Sequence, residues 1–301
     1  VDPIKIGIVG VGAIAKRQHI PALNASRDFA LVACADANAD GSDTHRSLAD
    51  MLDSGPHLDA IAICTPPKFH YDDAALALRH GKHVLLEKPP CDTTEQLHAL
   101  EAVADEAKRT LFTAWHSQFA AGVNAAKDWL KGKRVNSAHV VWKEDLEKYH
   151  HGQEWIKKQG GYGVFDPGIN ALSVLTRILP TPIRLIDSDL HIPPGWETPD
   201  RAKLLFHCDD GADITADFAF HQAGGEDIWN IEARTEEGVL TLSQGGAVLV
   251  IDGVRASSTA EQEYPALYRH FASLIQNQTS DVDAQPLRLA EQAFRSAATD
   301  D

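Results

Sequence analysis

The sequence predicts two architectures in succession. An N-terminal doubly wound parallel α/β sheet, the Rossmann arrangement, is followed by an α+β region with one open, mainly antiparallel sheet. Three observations predict this. Short apolar runs alternate with helical stretches through the first third of the chain, as buried parallel strands joined by crossover helices must. After about Trp115 the strands change to apolar–polar alternation, which marks strands with one solvated face. Their connections become short and polar, as between antiparallel neighbours. A length of 301 residues suits two domains. The expected division is residues 1–116 and 117–301, with room for the C-terminal helix to pack back on the first.

In order, Ile4–Val9 is a largely buried strand broken by Gly10–Gly12, and Ala13–Asn24 is a helix despite Pro21. Ala30–Ala35 and Ala60–Cys64 are strands, with a short helical stretch at His45–Leu52 between them. Tyr71–His80 is a helix stopped by Gly81. His83–Leu86 is a strand, Thr93–Arg109 a helix opened by capping threonines, and Thr110–Ala114 a strand. In the second part, Phe119–Leu130 and Asp166–Leu179 are helices flanking a strand at Ser137–Lys143 and a polar, aromatic loop from Glu144 to Gly163. Ile183–His191, Arg201–His207, Ala212–Phe220, Trp229–Thr235, Gly238–Ser243 and Val248–Val254 are strands. Tyr264–Gln276 and Pro286–Ala298 are closing helices.

A formal net charge of −15 repels phosphate backbones and anionic membranes, so nucleic acid and membrane partners are not expected. No apolar run is long enough to cross a bilayer. Lys5 followed by Ile6–Ala15 resembles the core of a signal peptide, but its glycine spacing has another explanation below. Cys34, Cys64, Cys91 and Cys208 form no CxxC pair, and the histidines form no metal-ligand spacing. Reduced, buried thiols, a cytoplasmic location and no metal are therefore expected.

Gly10-Val11-Gly12-Ala13-Ile14-Ala15 fits GxGxxG/A between a strand and a helix. The first glycine allows the tight turn, the second a close backbone approach to a pyrophosphate on the helix N-terminus, and Ala15 close helix–strand packing. Asp36 lies just after the second strand, where an acid hydrogen-bonds ribose hydroxyls and repels a 2′-phosphate. This favours NAD and leaves NADP open; the alternative is that Asp36 only forms a turn with Ala37 and Asn38. Cys64, Thr65, Pro66 and Pro67, with His70 in the same segment, follow the third strand where such sheets bind ligands. The alternative there is a rigid Pro-Pro turn.

His83–Leu86 leads into Glu87-Lys88-Pro89-Pro90, again at a carboxyl end of the sheet. A lysine beside an oxidised nicotinamide is a usable proton carrier; the alternative is a surface lysine. Asp166, before Pro167 and a helical run, has the pattern of an N-cap followed by proline at the first helical position. Asn170 falls four residues later on the same helix face. Two polar side chains projecting together from an otherwise apolar helix suggest a further role.

With these pieces in view, GVGAIA, CTPPKFH, GKHVLLEKPP and GYGVFDPGIN resemble the family of glucose–fructose oxidoreductase and inositol dehydrogenase. The resemblance implies a nicotinamide-dependent sugar dehydrogenase, with Lys88 handling the substrate hydroxyl. Most of the family carries a histidine where this chain has Asn170. Asp166–Asn170, WKED at Trp142–Asp145 and AWHS at Ala114–Ser117 resemble instead a bacterial branch that oxidises L-arabinose or D-galactose at C1 to the lactone. That resemblance implies Asp166 and Asn170 as catalytic, and His116, Glu144 and His150 as substrate residues; the alternative for each histidine is an ordinary surface position. A sugar substrate would also let Trp229 stack on its ring face, the alternative being a core tryptophan. Asparagine cannot titrate, so Asp166 or Lys88 is the expected base, with Asn170 orienting O1. Together Gly10, Gly12, Ala13, Ile14, Asp36, Cys64, Thr65, Pro66, Pro67, His70, Glu87 and Lys88 are the expected cofactor residues.

The alternatives are oxidation of glucose, xylose or inositol, a non-catalytic nicotinamide-binding regulator, and a NAD-dependent glycosidase. The intact set Lys88, Asp166 and Asn170 argues against a regulator. Phe206, Ile214, Phe218 and Phe220 would give the open sheet face apolar residues, and the resemblance agrees, so a homodimer through that face is expected.

Overall fold

The computed structural model describes residues 2–38, 44–221, 225–256 and 263–297. Two compact units divide the chain: Val1–Trp115 with Tyr264–Ala284, and His116–Glu263 with Gln285–Asp301.

The first unit begins with β1 (Ile4–Val9), a π-helical turn at Ala15–His19 and helix α1 (Ile20–Asn24). β2 (Phe29–Ala35), α2 (Leu48–Ser54), β3 (Ala60–Ile63), α3 (His70–Arg79), β4 (His83–Glu87), α4 (Thr94–Ala107) and β5 (Leu111–Ala114) follow. The strands pair in parallel in the order β2-β1-β3-β4-β5. Every residue of β3 and β5 is buried, which is why these strands read as unbroken apolar runs. The order reverses between β1 and β3, the position where such sheets take a ligand at their carboxyl ends.

Capping chemistry decides where two helices start. Ser47 accepts from the backbone N–H of Asp50 at 3.1 Å, so α2 opens at Leu48 rather than at His45. The backbone of His45 instead bonds to Cys34 and Asp36, at the end of β2. Thr93 caps α4 in the same way, accepting from Gln96. α3 stops before Gly81, whose φ of +71° only glycine adopts without strain.

The second unit holds α5 (Val123–Leu130), β6 (Val135–Asp145), α6 (Leu146–His150) and α7 (Phe165–Ile178). Then come β7 (Ile183–His191), β8 (Arg201–Cys208), β9 (Asp213–His221), β10 (Ile228–Thr235), β11 (Gly238–Ser243), β12 (Val248–Ile251) and β13 (Val254–Arg255). α8 (Glu263–Asn277) belongs almost wholly to the first unit and α9 (Gln285–Ala297) to the second. In the first unit, the segment after α8 runs beside β5, exchanging backbone hydrogen bonds through Asp281 with Leu111 and Thr113. The Ala298 end of the expected last helix lies outside the described residues.

The eight strands order as β13-β12-β11-β10-β6-β9-β8-β7. Only β6 and β9 run parallel. Alternate residues enter a core with the helices: Val140, Leu204, Phe206, Ile214, Phe218, Ile231 and Leu242 are buried. Phe165 of α7 packs edge-on against Phe218 and close to Phe294 of α9. A Cβ on Gly168 would lie 2.6 Å from the Phe218 ring, so this glycine lets α7 press onto β9. Phe206, Ile214 and Phe218 therefore face the helices, not solvent, and Phe220 packs on His150 and Trp196. The opposite sheet face carries polar pairs such as His139–Thr215 and Lys143–Asp217. The apolar ground for pairing through that face is thus corrected: the sheet spends those residues on its own core.

Candidate functional site

In the first unit the expected cofactor residues gather at the carboxyl ends of β1, β2, β3 and β4. Gly10 has φ +86°, and a Cβ there would meet the Cys64 carbonyl and Thr65 nitrogen at 2.7 Å. The loop after β1 thus lies directly against the loop after β3, and only glycine fits. Gly12 is the opposite case: no protein atom lies within 4 Å of where its Cβ would be. Its backbone is open to a ligand, as a pyrophosphate contact requires. Ala13 and Ile14 open the helix that follows, and Ala15 is buried.

Asp36 does two jobs within the protein. One carboxylate oxygen accepts from the Val11 N–H at 2.7 Å, fixing the glycine loop. The other accepts from the Asn38 N–H at 2.8 Å, forming the turn. Each oxygen keeps a second lone pair for a ribose hydroxyl. The residues present therefore fit an adenine dinucleotide: an open glycine, a helix start, and a half-buried acid beside them.

Thr65 donates to Asp73 at 3.0 Å. Cys64 is buried, and burial, then the nearby Glu87 charge, push its thiol well above its ordinary range; it lines the loop as an inert group. Pro66 is exposed and Pro67 buried. His70 is 1 % exposed, with ring nitrogens 2.5 Å from the Thr65 carbonyl oxygen and 2.9 Å from that of Pro89. It ties the loops after β3 and β4 together rather than presenting a side chain to a ligand. Burial pushes its imidazole down, against the pull of the two carbonyls. Glu87 is also buried, and one of its oxygens accepts from the Lys88 N–H at 2.9 Å. Lys88 itself is half-buried.

In the second unit, four residues expected from the sequence converge. Glu144, 6 % exposed, receives the His150 Nε2–H on one oxygen at 2.9 Å and the Trp229 indole N–H on the other at 3.2 Å. The other nitrogen of His150 lies 3.8 Å from Asp166 Oδ2, beyond hydrogen-bond range but close enough for one oxygen to contact both. Trp229 pairs with Trp142 across β10 and β6 and lies against Tyr149, ring centres 5.5 Å apart. It is half-buried, so neither a core tryptophan nor a free one.

α7 begins differently from the sequence expectation. Its first residue is Phe165, and the preceding Val164 makes no side-chain cap. A turn through Tyr162 and Gly163 leads in, with the Asp166 N–H bonded to the Gly163 carbonyl. Asp166 is thus the second helical residue and Pro167 the third, so the N-cap reading of Asp166 is replaced. One turn on, the side-chain oxygen of Asn170 is buried without a hydrogen-bond partner. A buried acceptor left unsatisfied costs about 1–3 kcal/mol, which a donor from a bound molecule would recover.

His116 sits outside this hydrogen-bonded chain. It lies in a 3-10 turn before α5 and pairs with Glu263 at 2.5 Å. Residues the sequence did not single out support the site. Asp227 accepts from the Tyr149 hydroxyl at 2.8 Å, from Lys148, and from the Asp145 N–H. Burial alone would raise its carboxyl, but these hydrogen bonds outweigh burial and hold it below its ordinary range. Asp145 caps α6 through Glu147 and Lys148. These bonds hold α6 and deliver His150; the only sequence trace is an Asp two residues before Trp229. Among the described residues no group of His, Cys, Asp and Glu is arranged to hold a metal, and no helix is long and apolar enough to cross a membrane.

Residues 4–115 match the model of an oxidoreductase family with an NAD-binding Rossmann fold. Galactose 1-dehydrogenase of Pseudomonas fluorescens is 44% identical over 298 residues, covering 97% of this chain and 95% of that protein. The chain belongs to this oxidoreductase family. A crystal structure of D-galactose-1-dehydrogenase from Rhizobium etli has a TM-score of 0.92 and 43% identity, covering 98% of this chain and 96% of that one. The WlbA dehydrogenase from Bordetella pertussis, solved with NADH and UDP-GlcNAcA, shares the fold at TM-score 0.85 and 21% identity, over 99% and 98% of the two chains. The chain is thus a nicotinamide-binding oxidoreductase, related over nearly its whole length to enzymes that act on galactose.

Proposed function

We propose that this protein oxidises D-galactose at C1 to the lactone, accepts L-arabinose as well, and prefers NAD to NADP. The observation that carries the reading is the polar set in the second unit. Trp229 and His150 are both hydrogen-bonded to Glu144, Asp166 stands 3.8 Å from His150, and Asn170 adds a buried acceptor in need of a donor. Directional hydrogen bonds and an aromatic ring are what a neutral, polyhydroxylated ring requires. The 44% identity to a galactose 1-dehydrogenase supports the choice of sugar.

NAD, when bound, takes up the hydride that leaves C1. Gly10, Gly12, Ala13 and Ile14 would hold its pyrophosphate and Asp36 its adenosine ribose. Cys64 to Pro67 would line its site, with His70 and Glu87 shaping the lining from behind. Lys88 and Asp166 are the titratable groups to remove the O1 proton. Asn170 orients the hydroxyl without titrating. Glu144 and His150 read ring hydroxyls, Trp229 covers an apolar ring face, and His116 is a further substrate contact. Galactose and L-arabinose share ring configuration, so one such set serves both. The balance is aldose plus oxidised cofactor to lactone, reduced cofactor and a proton.

The four free thiols support a reducing compartment, so the enzyme belongs in the cytoplasm. A homodimer through the exposed sheet face would use its cross-strand polar pairs, and sedimentation tests it. The activity is tested by nicotinamide absorbance with NAD or NADP and D-galactose, L-arabinose, D-glucose, D-xylose and myo-inositol. Reduction of NAD with galactose and arabinose is expected. Tight NAD binding with no sugar oxidised would overturn the reading.

A further inference from the structure

Glu87 is the best-connected buried acid of the first unit, and the chemistry above uses it only as lining. One carboxylate oxygen accepts from His19 Nε2 at 2.8 Å and from the Tyr264 hydroxyl at 2.8 Å. The other accepts from the Lys88 N–H. With Nε2 donating, Nδ1 of His19 accepts the Tyr268 hydroxyl at 2.7 Å. Exposures are 4 % for Glu87, 0 % for His19, 3 % for Tyr264 and 1 % for Tyr268.

Three parts of the unit meet here. His19 ends the π-helical turn that follows the glycine motif, and such wide turns often serve functional sites. Glu87 ends β4. Tyr264 and Tyr268 stand one turn apart on α8, 249 residues beyond His19 in the case of Tyr268. A buried carboxylate is tolerated only when its oxygens are satisfied. Satisfied here from two sides, it holds the backbone from which the Lys88 side chain springs.

We infer that His19 is a positioning residue for Lys88, acting through Glu87. The inference rests on the reading that Lys88 acts on the substrate hydroxyl. A displacement of about 1 Å in a reacting group costs as much as about a hundredfold in rate. Loss of the His19 donor is therefore expected in turnover, not in cofactor affinity.

The test uses the full-length enzyme. Glutamine in His19→Gln brings an amide N–H to where Nε2 stands; asparagine in His19→Asn reaches only the Nδ1 side. His19→Asn should lower kcat about tenfold or more, with KM for galactose and Kd for NAD within about twofold. His19→Gln should recover most of the loss. Should His19→Asn fail to fold, Tyr264→Phe removes the other donor and should lower kcat several-fold with unchanged Kd for NAD. Unchanged kcat in a folded His19→Asn, or in Tyr264→Phe, overturns the inference. Lys88→Ala separates the two readings. If it still turns over, the role of Lys88 fails and this inference with it. If it is inactive while His19→Asn is unimpaired, the inference alone fails.

Discussion

His150 and Asp166 approach to 3.8 Å from separate elements, α6 and α7, and Glu144 fixes the imidazole from its far side at 2.9 Å. The Glu144 carboxylate thus orients a histidine with one oxygen and a tryptophan with the other. An amide at this position has one accepting oxygen and cannot serve both donors. Glu144→Gln should raise KM for galactose about tenfold, the cost of one buried polar group left unmatched. Kd for NAD should not change. Steady-state kinetics with fluorescence titration of NAD checks this, and a loss confined to NAD binding would contradict it.

Asp166 does not cap α7, so its removal should cost activity and little stability. Asp166→Asn should lower kcat/KM by about 10²–10⁴, the usual contribution of a general base. The unfolding midpoint should stay close to that of the parent. A large fall in midpoint with little change in kcat/KM would return Asp166 to a structural role.

Asp36 both anchors the Val11 N–H and stands where a 2′-phosphate would be repelled. Asp36→Ala should weaken NAD binding through the loosened glycine loop. It should also shift the NADP/NAD preference at least about tenfold toward NADP, because a like-charge repulsion is removed. Calorimetric Kd values for both cofactors give the ratio. An unchanged ratio would leave Asp36 with only its hydrogen bonds to Val11 and Asn38.

Burial, with the Arg109 charge adding to it, pushes the His83 imidazole from its ordinary 6.5 down to about 4. Its Nδ1 accepts the Thr110 N–H at 3.0 Å, which only the neutral ring does. The unfolded chain therefore takes up the proton first as pH falls. Its stabilisation is complete above about pH 6.5, is lost progressively toward about pH 4, and levels off below. Discounted for partial exposure, the loss is about 1–2 kcal/mol. His83→Asn keeps an acceptor for Thr110 without titrating. Denaturant unfolding at several pH values should show a shallower acid slope in that variant; parallel slopes would contradict it.

Much of this is legible in the sequence because burial leaves a period. β3 and β5 are covered on both faces and read as apolar runs, and β8 and β9 alternate because one face is wet. Gly10–Ala15 and Asp36 are legible because backbone geometry restricts the residue types there. α6 is not legible: it has no buried residue and is held by the Asp145 cap and by Asp227, 78 residues from Tyr149. The start of α7 misleads because Asp-Pro has the composition of a cap, while the Tyr162–Gly163 turn sets the first helical residue at Phe165, two residues before Pro167. The grouping of α8 with the first unit and α9 with the second depends on contacts far apart in sequence. The same holds for the partners of His19.

The central claim is that hydride leaves C1 of an aldose, and D-galactose carrying deuterium at C1 tests it most directly. Mass spectrometry of the reduced nicotinamide after turnover should find one deuterium per cofactor, with galactonolactone as the sugar product. Deuterium retained in the sugar, or reduced cofactor without label, would contradict the account.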